Sequence, residues 1–292
     1  MNARPSPVPG ASHTGARVVV LTATAMVAFA ANSLLCRLAL SRTAIDAASF
    51  TAIRLVAGAA VLVLLSRRPG AADTGRGDWT SALALAAYAV CFSWAYVGLP
   101  AATGALLLFG AVQLTMIGWG FARGERLAAL QAVGLLAAGG GLLALLLPGA
   151  HAPAWGRAAL MLGSGVAWGI YSLRGRGAGD PLAVNAGNFW RAALLSLALL
   201  PLFWASVSVD TAGLLYAVAS GAVASGIGYS IWYAAVRGLS ATGAASVQLS
   251  VPAIAALGAV ALLGEPLTPR LVVASIVILG GIALVIGGRS NR

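Results

Sequence analysis

The chain has 292 residues, of which 60% are apolar and only 9% charged, with a mean hydropathy of +0.92. That composition excludes an ordinary soluble domain and fits a chain that crosses a membrane many times. The net charge of +11 does not point to nucleic acid, because all 18 basic residues are arginines spread singly or in pairs along the connections.

Residues 1–16, with three prolines and no apolar periodicity, are expected to be a disordered tail. Arg17, the apolar run from Val18 and Ala28-Phe29-Ala30 imitate a signal peptide. A retained helix fits better, since Arg37 and Arg54 recur 137 residues later as Arg174 and Arg191. Runs long enough to cross the hydrocarbon lie at 18–40, 44–66, 79–98, 101–121, 127–147, 155–173, 186–205, 211–235, 241–263 and 268–287. Gly98-Leu99-Pro100 and Gly238-Leu239-Ser240 break matching pairs of spans, and only residues 67–78 form a longer polar loop.

A stretch within this order occurs twice. Ala102-Thr103-Gly104-Ala105, Gly124-Glu125 and Gly140-Gly141 return as Ala241-Thr242-Gly243-Ala244, Gly264-Glu265 and Gly280-Gly281, offset by 139, 140 and 140 residues. The expected fold is therefore all-α and polytopic, ten transmembrane helices as two five-helix repeats. Five spans is an odd number, so the second copy is inverted relative to the first, which places a substrate site at mid-depth between the halves. Twelve arginines fall on the face of the termini and four (Arg37, Arg42, Arg157, Arg270) on the other, so both termini are expected in the cytoplasm. The expected units are a cytoplasmic tail, 1–16, and repeats at 17–147 and 154–288.

Two arginines, Arg54 and Arg191, sit inside spans, where a charge is costly unless it faces a polar interior. They are candidates for gating, for binding a carboxylate, or for helix pairing. No acidic residue occupies the middle of a span; Asp46, Asp73, Asp78, Glu125, Asp180, Asp210 and Glu265 all fall in connections or at helix ends. That argues against a proton relay of the cation-exporter kind. Glu125 and Glu265 each precede a repeat's last helix and are read as caps of that helix, with a gating role left open for Glu265. His13 and His151 lie in tail and loop, and Cys36 and Cys91 form no ligand-spaced pair, so neither metal nor cofactor is expected.

Polar and aromatic residues at mid-span are the candidate cavity wall: Asn32 beside Ser33, Tyr88, Gln113, Trp168, Tyr171, Asn188, Tyr229 and Gln248. Gly165 and Gly169 around Trp168 suit close helix packing, which competes with substrate stacking as its role. Pro252 interrupts the ninth span, and by offset it faces Gln113 in the first repeat.

Gly124-Glu125, Gly264-Glu265-Pro266-Leu267, Pro252, Gly280-Gly281 and Arg54, in this order over residues 17–288, resemble the EamA-type branch of the drug/metabolite transporter superfamily. In length and in its lysine-free, alanine-rich spans the chain is also similar to bacterial YddG-type exporters of aromatic amino acids. The resemblance implies a non-enzymatic secondary transporter of the bacterial inner membrane that exports amino acids, aromatic or hydrophobic, by alternating access. Its expected partners are a small-molecule substrate and the lipid bilayer, without nucleic acid, and it would act as a monomer. A drug or other metabolite transporter of the same fold, and a structural or receptor protein, remain alternatives. Gln113 departs from the proline usual in the family's fourth span.

Overall fold

The computed structural model describes residues 11–67, 77–122, 128–147, 152–175, 180–236 and 247–290, and among them no strand occurs. The helices are α1 (Ala11–Arg42), α2 (Ala47–Ser66), α3 (Trp79–Tyr96), α4 (Ala101–Ala122), α5 (Ala129–Leu146), α6 (Trp155–Gly175) and α7 (Pro181–Leu199), which ends in a 3₁₀ stretch, Leu200–Ser206. Next comes one rod made of α8 (Thr211–Val218), a π stretch (Ala219–Ile227) and α9 (Gly228–Val236). Then follow α10 (Ser250–Gly258), continued by a second π stretch (Ala259–Leu263), and α11 (Pro269–Ser290). Among the described residues six helices are long and apolar enough to cross a membrane, and Ser250–Leu263 and Pro269–Val285 are shorter apolar helices. The molecule is a multi-pass, all-helical membrane protein.

Four aspartates write the helix starts. Asp46 accepts from the Ala48 and Ser49 amides at α2, Asp78 from Ser81 at α3, Asp180 from Leu182 at α7 and Asp210 from Gly213 at α8. Each satisfies amides that a helix start leaves without partners. Helix ends are closed by arginines from neighbouring helices. Arg37 donates to the Tyr96 and Val97 carbonyls, Arg157 to Trp94, Arg42 to Leu263, and Arg270 to Ala144 and Leu147. In both cases the charge also opposes the helix dipole.

α5 packs along α11, α3 along α6, α2 along α7, α4 along both α6 and α10, and α1 along α9 and α10. Small residues set the separations: a Cβ at Gly134 would sit 2.5 Å from the Gly281 carbonyl oxygen, and one at Gly281 2.6 Å from that of Gly134. Outward-facing side chains such as Leu64, Leu136, Leu202 and Trp204 are exposed, as a lipid-facing surface requires.

Three local features differ from the sequence expectation. α1 starts at Ala11, inside the stretch expected to be disordered. The eighth and ninth spans each contain a π stretch, where Ser220, Gly221, Ser225 and Gly226 in the one and Gly258 beside the other weaken the α-helical preference. In the ninth span the backbone turns at Leu249, and Pro252 lies within the first turn of α10. Gly124-Glu125 and Ala241 to Ala244 lie outside the described residues.

Candidate functional site

Halfway along their helices, α1, α3, α4, α6, the π stretch and α9 enclose a cavity whose wall includes Phe29, Asn32, Ser33, Tyr88, Phe92, Trp168, Ser225 and Tyr229. The free space between these side chains is about 20 Å³, enough for one water. A larger occupant therefore needs the helices to part.

The wall is a continuous set of aromatic contacts. Trp168 stacks on Tyr229 at 4.9 Å between centroids with 23° between planes, and meets Tyr88 at 4.9 Å. Tyr88 contacts Phe92 at 5.3 Å and Phe29 contacts Tyr229 at 5.6 Å. Such faces accept apolar or aromatic groups. One polar chain crosses them: the Ser220 hydroxyl donates to Asn32 Oδ1 (2.6 Å), and Asn32 Nδ2 donates to the Tyr88 hydroxyl (3.2 Å). Asn32 thereby ties α1 to both α3 and the π stretch. The Ser225 hydroxyl, buried in the same wall, has no hydrogen-bond partner.

Arg54 is 1% exposed, with its guanidinium carbon 5.2 Å from the Tyr88 ring centre and 4.9 Å from that of Phe92. Its Nε and Nη1 make no hydrogen bond. It pairs with neither Asp46 nor Asp180, whose carboxylates cap α2 and α7.

Of the other residues singled out in the sequence, Asn32, Tyr88, Trp168 and Tyr229 come together in the cavity wall. Tyr171 stands behind it, 5.6 Å from Trp168, and donates to Asn185. Gln113 is buried on α4 outside the wall, with no partner for Nε2. Asn188 is engaged elsewhere: Oδ1 accepts from the Asp78 amide at 2.9 Å and holds the start of α3. Arg191 donates to the Gly187 carbonyl one turn back and lies over Trp79 at 5.7 Å, so it joins α7 to α3. Gln248 lies just before the turn at Leu249, and Pro252 is buried on α10; neither is in the wall. Sequence reasoning passed over Phe29, Phe92 and Ser225. A phenylalanine in an apolar span carries no signal, and Ser225 lies in the π stretch, where a regular 3.6-residue count does not give the facing direction.

Two polar clamps lie at opposite ends of α3. At one, Arg37 Nε meets Glu265 Oε1 at 2.9 Å, and Glu265 Oε2 accepts the Ala101 amide at 2.6 Å. Glu265 is therefore a cap, but of α4 rather than of the helix it precedes. A cavity of about 440 Å³ has Arg37 and Glu265 in its wall. At the other, Arg174 Nη2 meets Asp78 Oδ1 at 2.9 Å and Arg174 Nε donates to Ser81. Burial would raise the Asp78 carboxyl, but the hydrogen bonds from Ser81 and the Arg174 guanidinium outweigh it and hold the pKa at about 2.

The described helices thus form a multi-pass bundle around a small polar-aromatic cavity, with an ion pair toward each end of α3. The chain belongs to the EamA-like transporter family, whose pattern its residues 156–287 match. It is 59% identical over 279 residues to an uncharacterized protein of Pseudomonas aeruginosa, covering 94% of this chain and 96% of that one. It is 28% identical over 225 residues to a probable terminal-alkyne amino-acid exporter of Streptantibioticus cattleyicolor, covering 75% of each. A solved crystal structure superposes with a TM-score of 0.66 at 22% identity, covering 92% of this chain and 96% of that chain, a likeness of fold alone.

Proposed function

We propose that this chain is a secondary transporter that exports small, partly hydrophobic amino acids, aromatic ones foremost, across the bacterial inner membrane by alternating access. The observation that carries the reading is the cavity: stacked Trp168, Tyr229 and Tyr88 supply apolar faces, and Asn32 and Ser225 supply polar groups among them. The amino-acid exporter among the relatives supports the substrate class.

In this reading ten spans form two inverted repeats, both termini lie in the cytoplasm, and the two clamps close opposite faces. Helix pairing supports it. Exchanging each helix for its counterpart five spans along maps α2 with α7, α5 with α11 and α4 with α10 onto themselves. The same exchange turns α3 on α6 into the α8–α9 rod on α1.

Purified protein in liposomes tests this. Labelled phenylalanine and tryptophan equilibrate faster than in empty vesicles, and Trp168→Ala, checked for folding by size-exclusion chromatography, slows them about tenfold, since loss of an aromatic face against the substrate costs about 1.5 kcal/mol. Equal rates with and without protein would remove the amino-acid reading.

A further inference from the structure

We propose that Arg54 is the carboxylate anchor of this cavity, and that the cavity recognises a carboxylate on an apolar or aromatic body without needing the amine. This deepens the amino-acid reading and rests on it. Arg54 is a buried cation whose Nε and Nη1 have no hydrogen-bond partner, and the Tyr88 and Phe92 rings lie 5.2 and 4.9 Å from its guanidinium carbon. A buried charge of this kind calls for an anion. None is supplied among the described residues: Asp46, Asp78, Asp180 and Asp210 cap helix starts, and Glu265 is held by Arg37 and the Ala101 amide. In the sequence Asp73 and Glu125 fall between spans.

The rings that cover the guanidinium, Tyr88 and Phe92, are also walls of the cavity. Parting them to admit a substrate uncovers Nε and Nη1, two charged N–H donors, either of which a carboxylate oxygen can accept. The unpartnered Ser225 hydroxyl adds another donor in the same wall. For an ammonium group the wall offers no carboxylate, and Asn32 Oδ1 already accepts from Ser220. The charge balance of the site is positive, so it favours anions and zwitterions over cations.

The experiment uses the full chain in detergent and three probes with one phenyl body: 3-phenylpropionate, phenylalanine and phenethylamine. Binding is read by thermal shift, independently of transport. The carboxylate and the amino acid stabilise the protein at similar concentrations, while the amine needs at least about tenfold more, the loss expected for a charge-assisted hydrogen bond. Arg54→Gln abolishes the preference for 3-phenylpropionate over phenethylamine and Arg54→Lys retains part of it. Stabilisation by phenethylamine at the concentration that suffices for 3-phenylpropionate overturns the proposal, as does a preference that survives in Arg54→Gln. The wild-type comparison decides the matter even if that variant does not fold. Carboxylate-selective binding without phenylalanine flux would leave the anchor standing and overturn the transport reading instead.

Discussion

At Gly221 the π stretch meets α2 so closely that a Cβ would lie 2.1 Å from the Arg54 carbonyl oxygen. The obstacle is backbone and cannot yield by a change of rotamer. Gly221→Ala must push the π stretch off α2, displacing Arg54 and Ser225 together, at a cost of about 1–3 kcal/mol typical of overpacking. Its melting temperature in detergent should fall clearly below wild type, whereas Gly139→Ala, where nothing lies within 4 Å, should not lower it. An unchanged melt for Gly221→Ala would mean that this contact is looser than described. Arg54 itself was legible in the sequence, because a mid-span charge is conspicuous whatever its neighbours. Asn188 and Arg191 are equally conspicuous; Arg191 pairs α7 with α3, one of the roles its position left open, and Asn188 holds the start of α3. Depth in a span follows from counting, whereas the facing direction follows from packing, and packing turns both toward α3.

Helix ends follow simple chemistry: aspartate at starts, and an arginine of another helix at ends. The second rule accounts for Arg37, Arg42, Arg157 and Arg270, each of which binds carbonyls at or near the end of a neighbouring helix. The apolar runs and aspartates made the helix limits readable. The π stretches were not readable, because a one-residue widening of the helix leaves no periodic mark. The clamps yield a prediction of direction. Glu265→Gln weakens one end and Asp78→Asn the other, each by about 0.4–1 kcal/mol, or two- to fivefold in the balance of open states. Reaction of a Thr103→Cys thiol in the 440 Å³ cavity with an impermeant reagent should accelerate in the first variant and slow in the second. Changes in the same direction would show that the clamps do not oppose each other. Asp78 also carries a pH prediction. Its pKa of about 2 is depressed from the ordinary value near 3.9, so its contribution is present above that value and is lost as pH falls toward 2. From roughly pH 5 to 8 the clamp stays ionised, and pH–rate profiles of wild type and Asp78→Asn should have the same shape there.

At the scale of the whole molecule, the duplication constrains the mechanism more than any single residue does. If two five-span units run oppositely through the bilayer, a motion that opens the Arg37–Glu265 end has an equivalent, related by exchange of the halves, that opens the Arg174–Asp78 end. Alternating access then needs only two packings of near-equal energy. The symmetry is broken at the site: Asn32 of α1 bonds Ser220 and Tyr88, while Tyr171 of α6 bonds Asn185. Asn32 and Tyr88 thus meet Ser220 in the polar crossing of the cavity, whereas α6 places Trp168 in the wall and Tyr171 behind it. The inverted arrangement has a direct test in sidedness. Ala129, at the start of α5, and Leu267, just before α11, are both exposed and begin the last helix of each repeat. With Cys91, the partly exposed native thiol, replaced by alanine and Cys36 buried, single Ala129→Cys and Leu267→Cys variants can be labelled in intact cells and in inverted vesicles. Leu267→Cys should react with an impermeant maleimide only in cells and Ala129→Cys only in inverted vesicles. Reaction of both from one side would require an even number of spans per repeat, and the two-fold exchange of helix partners would then have no role in opening the cavity.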